Sequence, residues 1–396
     1  MDSRDRIKVV FIAAPYEKGG AIEAFLSMVE ALRVNYNIRP IILSSRKGRN
    51  NVYATEKGIE NHVIGHTAFY VNEGSTWQRR FIRKILFPIL WIRHFITNSI
   101  AVKRAERHID FNQVDIIHSN TDTIDVGALL SKRHGILHVW HIRQYGESDY
   151  KCFSLRRNYI AFMNDNASMF IAVSRSVKKH WNIKGISENK IRVVYDGVDT
   201  HKFSPKENKE HKPGIVRLVI SGFVAPQKGQ LQLIQAISMM SSDEKKRLRL
   251  DIYGHGAIEY ITYLKRMVKK NGIESVVCFK GMVNNINEIL PDYDIGFTCS
   301  RSEAFGLVTI EYMMSGLCVV ASDTGANREL VIDGSNGLIY KYGDIEMLKN
   351  AILRLVADEE MRIRIKNNNP KYARDMFSHH LNAKRIAETY SEVLHG

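Results

Sequence analysis

The sequence predicts an α/β fold made of two doubly wound, Rossmann-like domains facing each other across a central cleft, with a C-terminal helix. Three observations predict it. At 396 residues the chain exceeds the roughly 250 to 300 residues over which one hydrophobic core keeps growing. Short apolar runs alternate with amphipathic stretches through the first half, and the same alternation begins again in the second. Between the halves lies "SPKENKEHKPG", from Ser204 to Gly214, with two prolines and no apolar residue.

The elements follow in order. "KVVFIAA", "RPIILSS", "DIIHSN", "LHVWHIR", "MFIAVS" and "IRVVYDGV" are strand-like, and a helical pattern such as that of Ile22 to Val34 separates the first two. Strands that are apolar throughout and separated by helices belong to a parallel sheet covered on both faces. The second half continues with "VRLVISG", "LRLDIYG", "VVCFKG", "DIGFTCS" and "CVVAS". Near the end Leu381, Ile386, Ala387, Tyr390 and Leu394 recur at near-helical spacing. The expected division is residues 1–204 for a first domain, 205–214 for the linker and 215–370 for a second domain. Residues 371–396 form a terminal helix expected to cross back to the first domain. No repeat of 20 to 50 residues is visible.

With 44% hydrophobic and 25% charged residues the composition is that of a folded globular chain. The apolar run near the start is too short and too late for a secretory signal, so a cytosolic protein is expected. The longest apolar run, "ILFPILWI" from Ile85 to Ile92, falls well short of the ~20 residues that cross a bilayer. Cys152, Cys278, Cys299 and Cys318 form no Cys-x-x-Cys pair and read as small core residues in a reducing compartment.

A formal charge of +15 calls for a polyanionic partner, whether nucleic acid, an acidic membrane surface or a phosphorylated substrate. Between Trp77 and Arg107 eight basic residues face one acid, Glu106, which is 8 − 1 = +7 within one segment. There Phe81, Ile82, Ile85, Ile89 and Ile92 share one helical face, while Arg79, Arg83, Lys84, Phe87 and Trp91 mix charge with aromatics on the other. Such a segment suits an anionic lipid surface; a core helix with a solvated basic edge is the other reading. None of the standard DNA- or RNA-binding signatures is present, so nucleic acid is not an expected partner.

"SRSEAFGLVTIEYMMSG" carries two acids, Glu303 at a strand-to-helix turn and Glu311 inside the following helix. The amides of Ala304, Phe305, Gly306 and Leu307 open that helix, and a helix N-terminus attracts phosphate. Eight positions of advance span about 12 Å if fully helical, close to the reach of a nucleotide sugar from pyranose to ribose. Alone, Glu303 could be an ordinary N-terminal acid and Glu311 a solvated helix residue. Against this, Glu311 lies among Ile310, Tyr312, Met313 and Met314, where a buried unpaired carboxylate is costly.

From Ser300 to Tyr340 the sequence resembles the nucleotide-binding region of retaining GT-B glycosyltransferases, family 4-like and of the group 1 type. The similarity extends to "KGGAIE" at Lys18, "DIIHSN" at Asp115, "VWHIR" at Val139, "VVYDGVD" at Val193, "KGQLQLIQAI" at Lys228 and the terminal helix. The resemblance implies that Glu303 holds the donor sugar hydroxyls, Glu311 the ribose, and the amides of Phe305 to Leu307 the phosphates. It places Gly19 and Gly20 in a loop against the diphosphate, His141 against the transferring sugar or the acceptor, and Lys228 against the departing diphosphate. Family members often carry an arginine after the strand-end glycine; here Gly222 is followed by Phe223, leaving Arg143 and Arg301 as candidates for the second cation. Ala304 stands where glycine is common.

The activity so implied is hexosyl transfer, with retention, from a nucleoside-diphosphate sugar to a lipid-linked or glycan acceptor in cell-surface polysaccharide synthesis. A UDP-linked donor is the leading expectation, with no tightly bound cofactor, no metal site and a cytoplasmic location at the inner face of a membrane. A nucleotide-sugar epimerase of the same architecture and a catalytically silent nucleotide-sugar-binding module are the alternatives. Two weaker signals are set aside. "YGHGAIE" has Glu259 at the third position of a dinucleotide fingerprint and reads as a turn. Asp292 and Asp294 read as the start of a strand rather than a manganese site.

Overall fold

The computed structural model describes residues 6–13, 20–72, 77–147, 152–206 and 214–396, with 77, 79, 80 and 84 described by backbone alone. The chain forms two compact units, one of residues 1–197 with 379–396 and the other of residues 198–378. The division at Gly197 and Val198 falls ahead of the expected linker, whose residues 207–213 lie outside the described residues.

In the first unit β1 (Ile7–Ile12), β2 (Ile38–Ser44), β3 (Glu60–Val63), β5 (Ile116–Ser119), β6 (Leu137–Ile142), β8 (Met169–Ala172) and β9 (Ile191–Val193) make one parallel sheet in the order β3-β2-β1-β5-β6-β8-β9. A separate antiparallel ribbon joins β4 (Tyr70–Asn72) to β7 (Cys152–Ser154). Successive residues of a strand face opposite ways. Val9 and Phe11 accordingly join α1 (Gly20–Asn35) and the terminal helix His379–His395 in one core. Val10 and Ile12 join α4 (Phe87–His108) and α5 (Val126–His134) in another. Burial on both faces is why β1 is apolar without alternation from Val9 to Ile12. Each large apolar side chain so buried contributes about 1.5–3 kcal/mol.

The terminal helix inserts Ala383, Ile386 and Tyr390 into the first of these cores. Helix α2 (Arg49–Glu56) leads into β3. Residues 77–108 do not form one helix: α3 (Trp77–Ile85) stops and α4 begins after Leu86. Pro88 is the reason, since proline has no N–H to donate and fits only the first turn of a new helix.

The second unit carries β10 (Val216–Ser221), β11 (Leu248–Tyr253), β12 (Val277–Gly281), β13 (Ile295–Thr298), β14 (Cys318–Ser322) and β15 (Gly337–Tyr340), parallel and ordered β12-β11-β10-β13-β14-β15. The order reverses between β10 and β13, and in such sheets ligands settle outside the carboxyl ends at the reversal. Cys152, Cys299 and Cys318 are buried as expected, but Cys278 is exposed. It lies on β12, an edge strand, at a position turned towards solvent. Asp294 accepts from the Arg217 backbone N–H at 2.9 Å and from Lys366 at 2.8 Å, which ties the start of β13 to its neighbours.

Candidate functional site

The reversal between β10 and β13 brings together side chains 75 residues apart in sequence. After β10 the chain makes a short turn at Pro226–Lys228 and starts the helix Gln230–Ser238. After β13 it passes through Ser300 and Glu303 to the helix Leu307–Met314. Lys228 Nζ donates to Glu303 Oε2 at 2.9 Å, and Ser300 Oγ donates to the same oxygen at 2.8 Å. The Glu303 side chain is 15% exposed and that of Lys228 37%, so the pair sits at a surface that a ligand can reach.

The surrounding backbone is fixed closely. Arg301 N–H donates to the Gln227 carbonyl at 2.7 Å, Ala326 N–H to the Glu303 carbonyl at 2.8 Å, and Ser322 and Thr324 hydroxyls to the Ser300 carbonyl at 2.7 Å each. Gly229, at φ +73°, lies against the Cys299 carbonyl; a Cβ there would stand 2.0 Å from that oxygen. Only glycine lets the two loops approach so closely.

Gly306 precedes the helix Leu307–Met314 at φ +98°, a left-handed conformation that again suits glycine. The helix is held from within by Thr309 Oγ1 and Thr298 Oγ1 at 2.8 Å. Its opening amides carry the partial positive charge of a helix N-terminus. Glu311 lies one turn further along and keeps part of its surface open. The protein packed around it pushes its carboxyl up to about 7, with Lys202 pulling the other way. Among the described residues its carboxylate makes no hydrogen bond, leaving it free to accept from a ligand.

Lys228, Glu303, Ala304, Phe305, Gly306, Leu307 and Glu311 thus all lie in the second unit. Gly20 opens α1 in the first unit, and Gly19 lies outside the described residues. Phe223 is exposed and sets its ring edge-on to His255 at 5.3 Å. Arg301 has an exposed side chain on the Glu303 loop.

His141, also in the first unit, is the penultimate residue of β6 and is fully buried. Its Nδ1 is 3.3 Å from His118 Nε2, and His118 Nδ1 is 2.6 Å from the Tyr390 hydroxyl. Burial first, then the Arg143 charge and His118, hold the His141 imidazole well below its ordinary value, so it is neutral at pH 7. Among the described residues its Nε2 has no hydrogen-bond partner, and it lies 4.0 Å from Asp196 Oδ1. Arg143 is committed to Asp196 at 2.5 Å and to Asn120 Oδ1 at 2.9 Å. Ser300, Asp196 and His118 are not singled out by the sequence reading. Ser300 could have been found from its Ser-x-x-Glu spacing to Glu303, whereas the other two become visible only once strands stand side by side. Among the described residues no group of three or more His, Cys, Asp or Glu side chains is placed to hold a metal ion.

Two family models match the chain, one described as glycosyl transferases group 1 over residues 199–372 and one as glycosyltransferase family 4 over residues 53–202. An uncharacterized glycosyltransferase of Methanocaldococcus jannaschii is 26% identical, covering 87% of this chain and 93% of its own. The lipopolysaccharide core biosynthesis mannosyltransferase LpcC of Rhizobium leguminosarum bv. viciae is 28% identical over 75% of this chain and 76% of its own. Among solved structures, Anabaena HepE in complex with UDP and glucose has a TM-score of 0.76 at 21% identity, covering 98% of this chain and all of that one. Sucrose-phosphate synthase from Thermosynechococcus elongatus has a TM-score of 0.72 at 18% identity, covering 98% and 99%. With two successive family models matched and this pair of parallel sheets shared, the chain belongs to the group 1 glycosyltransferases of the GT-B fold.

Proposed function

We propose that this glycosyltransferase moves a hexosyl group, with retention, from a UDP-sugar to a lipid-linked or glycan acceptor in the assembly of cell-surface polysaccharide or glycoconjugate. The observation that carries the reading is the Lys228–Glu303 contact at 2.9 Å, set at the strand reversal of the second unit beside the opening of the helix Leu307–Met314. Glu303 holds the sugar hydroxyls and Glu311 accepts from the ribose. The amides of Ala304, Phe305, Gly306 and Leu307 hold the phosphates. Lys228 stabilises the charge that builds on the diphosphate as it leaves. From the first unit, Gly19 and Gly20 border the diphosphate, and neutral His141 contacts the sugar or the acceptor.

In the reaction the bond from the anomeric carbon to the phosphate oxygen breaks and a bond to the acceptor oxygen forms on the same face. The leaving phosphate oxygen takes the acceptor proton. The UDP preference draws support from HepE, whose structures hold UDP and UDP-glucose. The acceptor class draws support from LpcC, named for lipopolysaccharide core biosynthesis. The site of action is the cytoplasmic face of a membrane, which the basic residues 77–107 favour.

A panel of nucleotide sugars read by thermal shift, followed by a nucleotide-release assay with product analysis, tests the reading. UDP-sugars stabilise the protein, Glu311→Ala weakens that stabilisation, and Glu303→Ala lowers turnover more than affinity. If neither variant changes either quantity, the site is misassigned. Interconversion of the donor without transfer would identify an epimerase.

A further inference from the structure

Helix α4 carries its polarity reversed. Its line of buried residues begins with His94 and Asn98, and both reach Asp125: His94 Nε2 at 2.9 Å and Asn98 Nδ2 at 2.6 Å. Asp125 is itself fully buried and also accepts from Arg156 Nε at 2.5 Å. The opposite line of the same helix, at the 3.6-residue period, is isoleucine. Ile89, Ile92 and Ile96 are 61%, 50% and 55% exposed; Phe95, on the flank of that line, is 48% exposed, and Trp91, against the Phe95 ring on the side towards His94, is 43% exposed. Helix α3 extends the strip with Phe81, Ile82 and Ile85, all more than half exposed. Single exposed apolar residues need no explanation, but a line of them along α4, with three more on α3, marks a surface that is covered in use.

Charge decides what covers it. The segment from Trp77 to Arg107 has eight basic residues and one acid, so a second copy of this chain would bring like charge against like. An anionic bilayer offers apolar chains for the isoleucines and phosphates for the cations. Arg93, Lys103 and Arg107 are exposed along α4, and each cation near such a surface strengthens the attraction to anionic head groups. Among the described residues no helix is long and apolar enough to cross a membrane, so the contact is interfacial.

We propose that α3 and α4 dock the first unit on an anionic lipid bilayer by inserting their isoleucine and aromatic side chains among the acyl chains, with the flanking lysines and arginines on the head groups. This deepens the membrane-facing part of the reading above and rests on it for purpose alone, since the docking geometry does not involve the donor site.

Flotation with vesicles of phosphatidylcholine mixed with phosphatidylglycerol, and with phosphatidylcholine alone, tests it. Tryptophan quenching by lipids brominated on the acyl chains is measured alongside, in wild type and in Trp91→Phe. Wild type floats with the mixed vesicles, and its fluorescence is quenched by an amount that Trp91→Phe loses. The triple variant Ile89→Ser, Ile92→Ser and Ile96→Ser loses at least ~10-fold in vesicle partition, because three inserted side chains are removed. It keeps its UDP-induced thermal shift, which shows that the fold is intact. Arg93→Gln with Lys103→Gln and Arg107→Gln loses the preference for phosphatidylglycerol.

Failure of wild type to float overturns the proposal, as does a triple variant that floats equally well. Flotation without Trp91 quenching also overturns it, since that is surface adsorption without insertion. A wild-type dimer that the triple variant makes monomeric, with neither binding vesicles, assigns the strip to a second copy instead. Absence of a UDP-induced shift with vesicle binding intact counts against the donor reading and leaves the docking in place.

Discussion

Lys228 and Glu303 meet at 2.9 Å across the point where the strand order of the second unit reverses, with Ser300 bonded to the same carboxylate oxygen. Holding an ammonium beside a carboxylate keeps both groups in place before a ligand arrives. In the proposed site a phosphate of the donor then draws on a cation already positioned, which is how a preorganised site stabilises developing charge. Lys228→Met removes that charge while keeping a similar length. Its expected effect is a fall of ~10²–10³-fold in turnover with UDP-glucose, against a smaller change in affinity, measured by nucleotide release under saturating donor. A rise in KM with unchanged kcat, and so an equal fall in kcat/KM, would assign Lys228 to uniform substrate binding instead.

Glu303→Gln keeps shape and hydrogen bonding but removes the charge facing Lys228. Nucleotide affinity, read by calorimetry with UDP, stays within a few-fold, and transfer from a UDP-sugar falls more steeply. A variant with normal turnover would remove Glu303 from the sugar site.

The loop that carries Lys228 depends on Gly229. At φ +73° an alanine is strained, and its Cβ would stand 2.0 Å from the Cys299 carbonyl oxygen. Relief requires the Lys228 turn and the Ser300–Glu303 loop to part. Gly229→Ala therefore destabilises the protein by about 2–4 kcal/mol in denaturant unfolding and weakens UDP-sugar binding along with it. By contrast Gly343→Ala, at φ +88° with open space around it, costs only its backbone strain.

The sheets are legible in the sequence because their strands are apolar on both faces, as in Val9 to Ile12. The turn that opens the helix Leu307–Met314 is legible too, since Gly306 and the helix after it are contiguous. The Lys228–Glu303 contact is not: residue spacing says nothing of strand order, and only the family resemblance points to Lys228. Nor does helical spacing say which side of residues 81–100 faces the core. It groups the isoleucines as one face, and the side that packs inward proves to be that of His94 and Asn98, drawn in by Asp125. Pro88, inside the apolar run from Ile85 to Ile92, divides that run between two helices.

Asp125 is the most exacting of these buried groups. Burial raises its carboxyl, but the hydrogen bond and charge of His94, with the Arg156 guanidinium, overcome that and hold it below its ordinary value. Asp125→Ala strands a buried guanidinium and leaves His94 without its acceptor, so it costs about 3–5 kcal/mol of stability at pH 7. A folded value below the unfolded one means that the stabilisation is complete above the unfolded value and is lost as pH falls through the folded one. The difference in stability between wild type and Asp125→Ala, followed by urea unfolding from pH 7 into the acid range, therefore shrinks as pH falls.

Glu311 has the opposite sign. Its folded value near 7, against an ordinary 4.5, means that the folded protein holds a proton which the unfolded chain has already released between those values. Stability falls as pH rises across that window and levels off above about 7, by about 1–3 kcal/mol in all. Glu311→Gln removes that slope and is more stable than wild type at pH 8. In the proposed site ribose hydroxyls donate to the ionised carboxylate, so donor binding and deprotonation of Glu311 are expected to reinforce one another. UDP-glucose has no phosphate group titrating in this range, and its affinity for wild type rises about tenfold from pH 6 to pH 8 if only the ionised form binds. Glu311→Gln binds more weakly and with no such rise. Calorimetric titration of both proteins at the two pH values measures it, and a parallel rise in the variant would place the titrating group elsewhere.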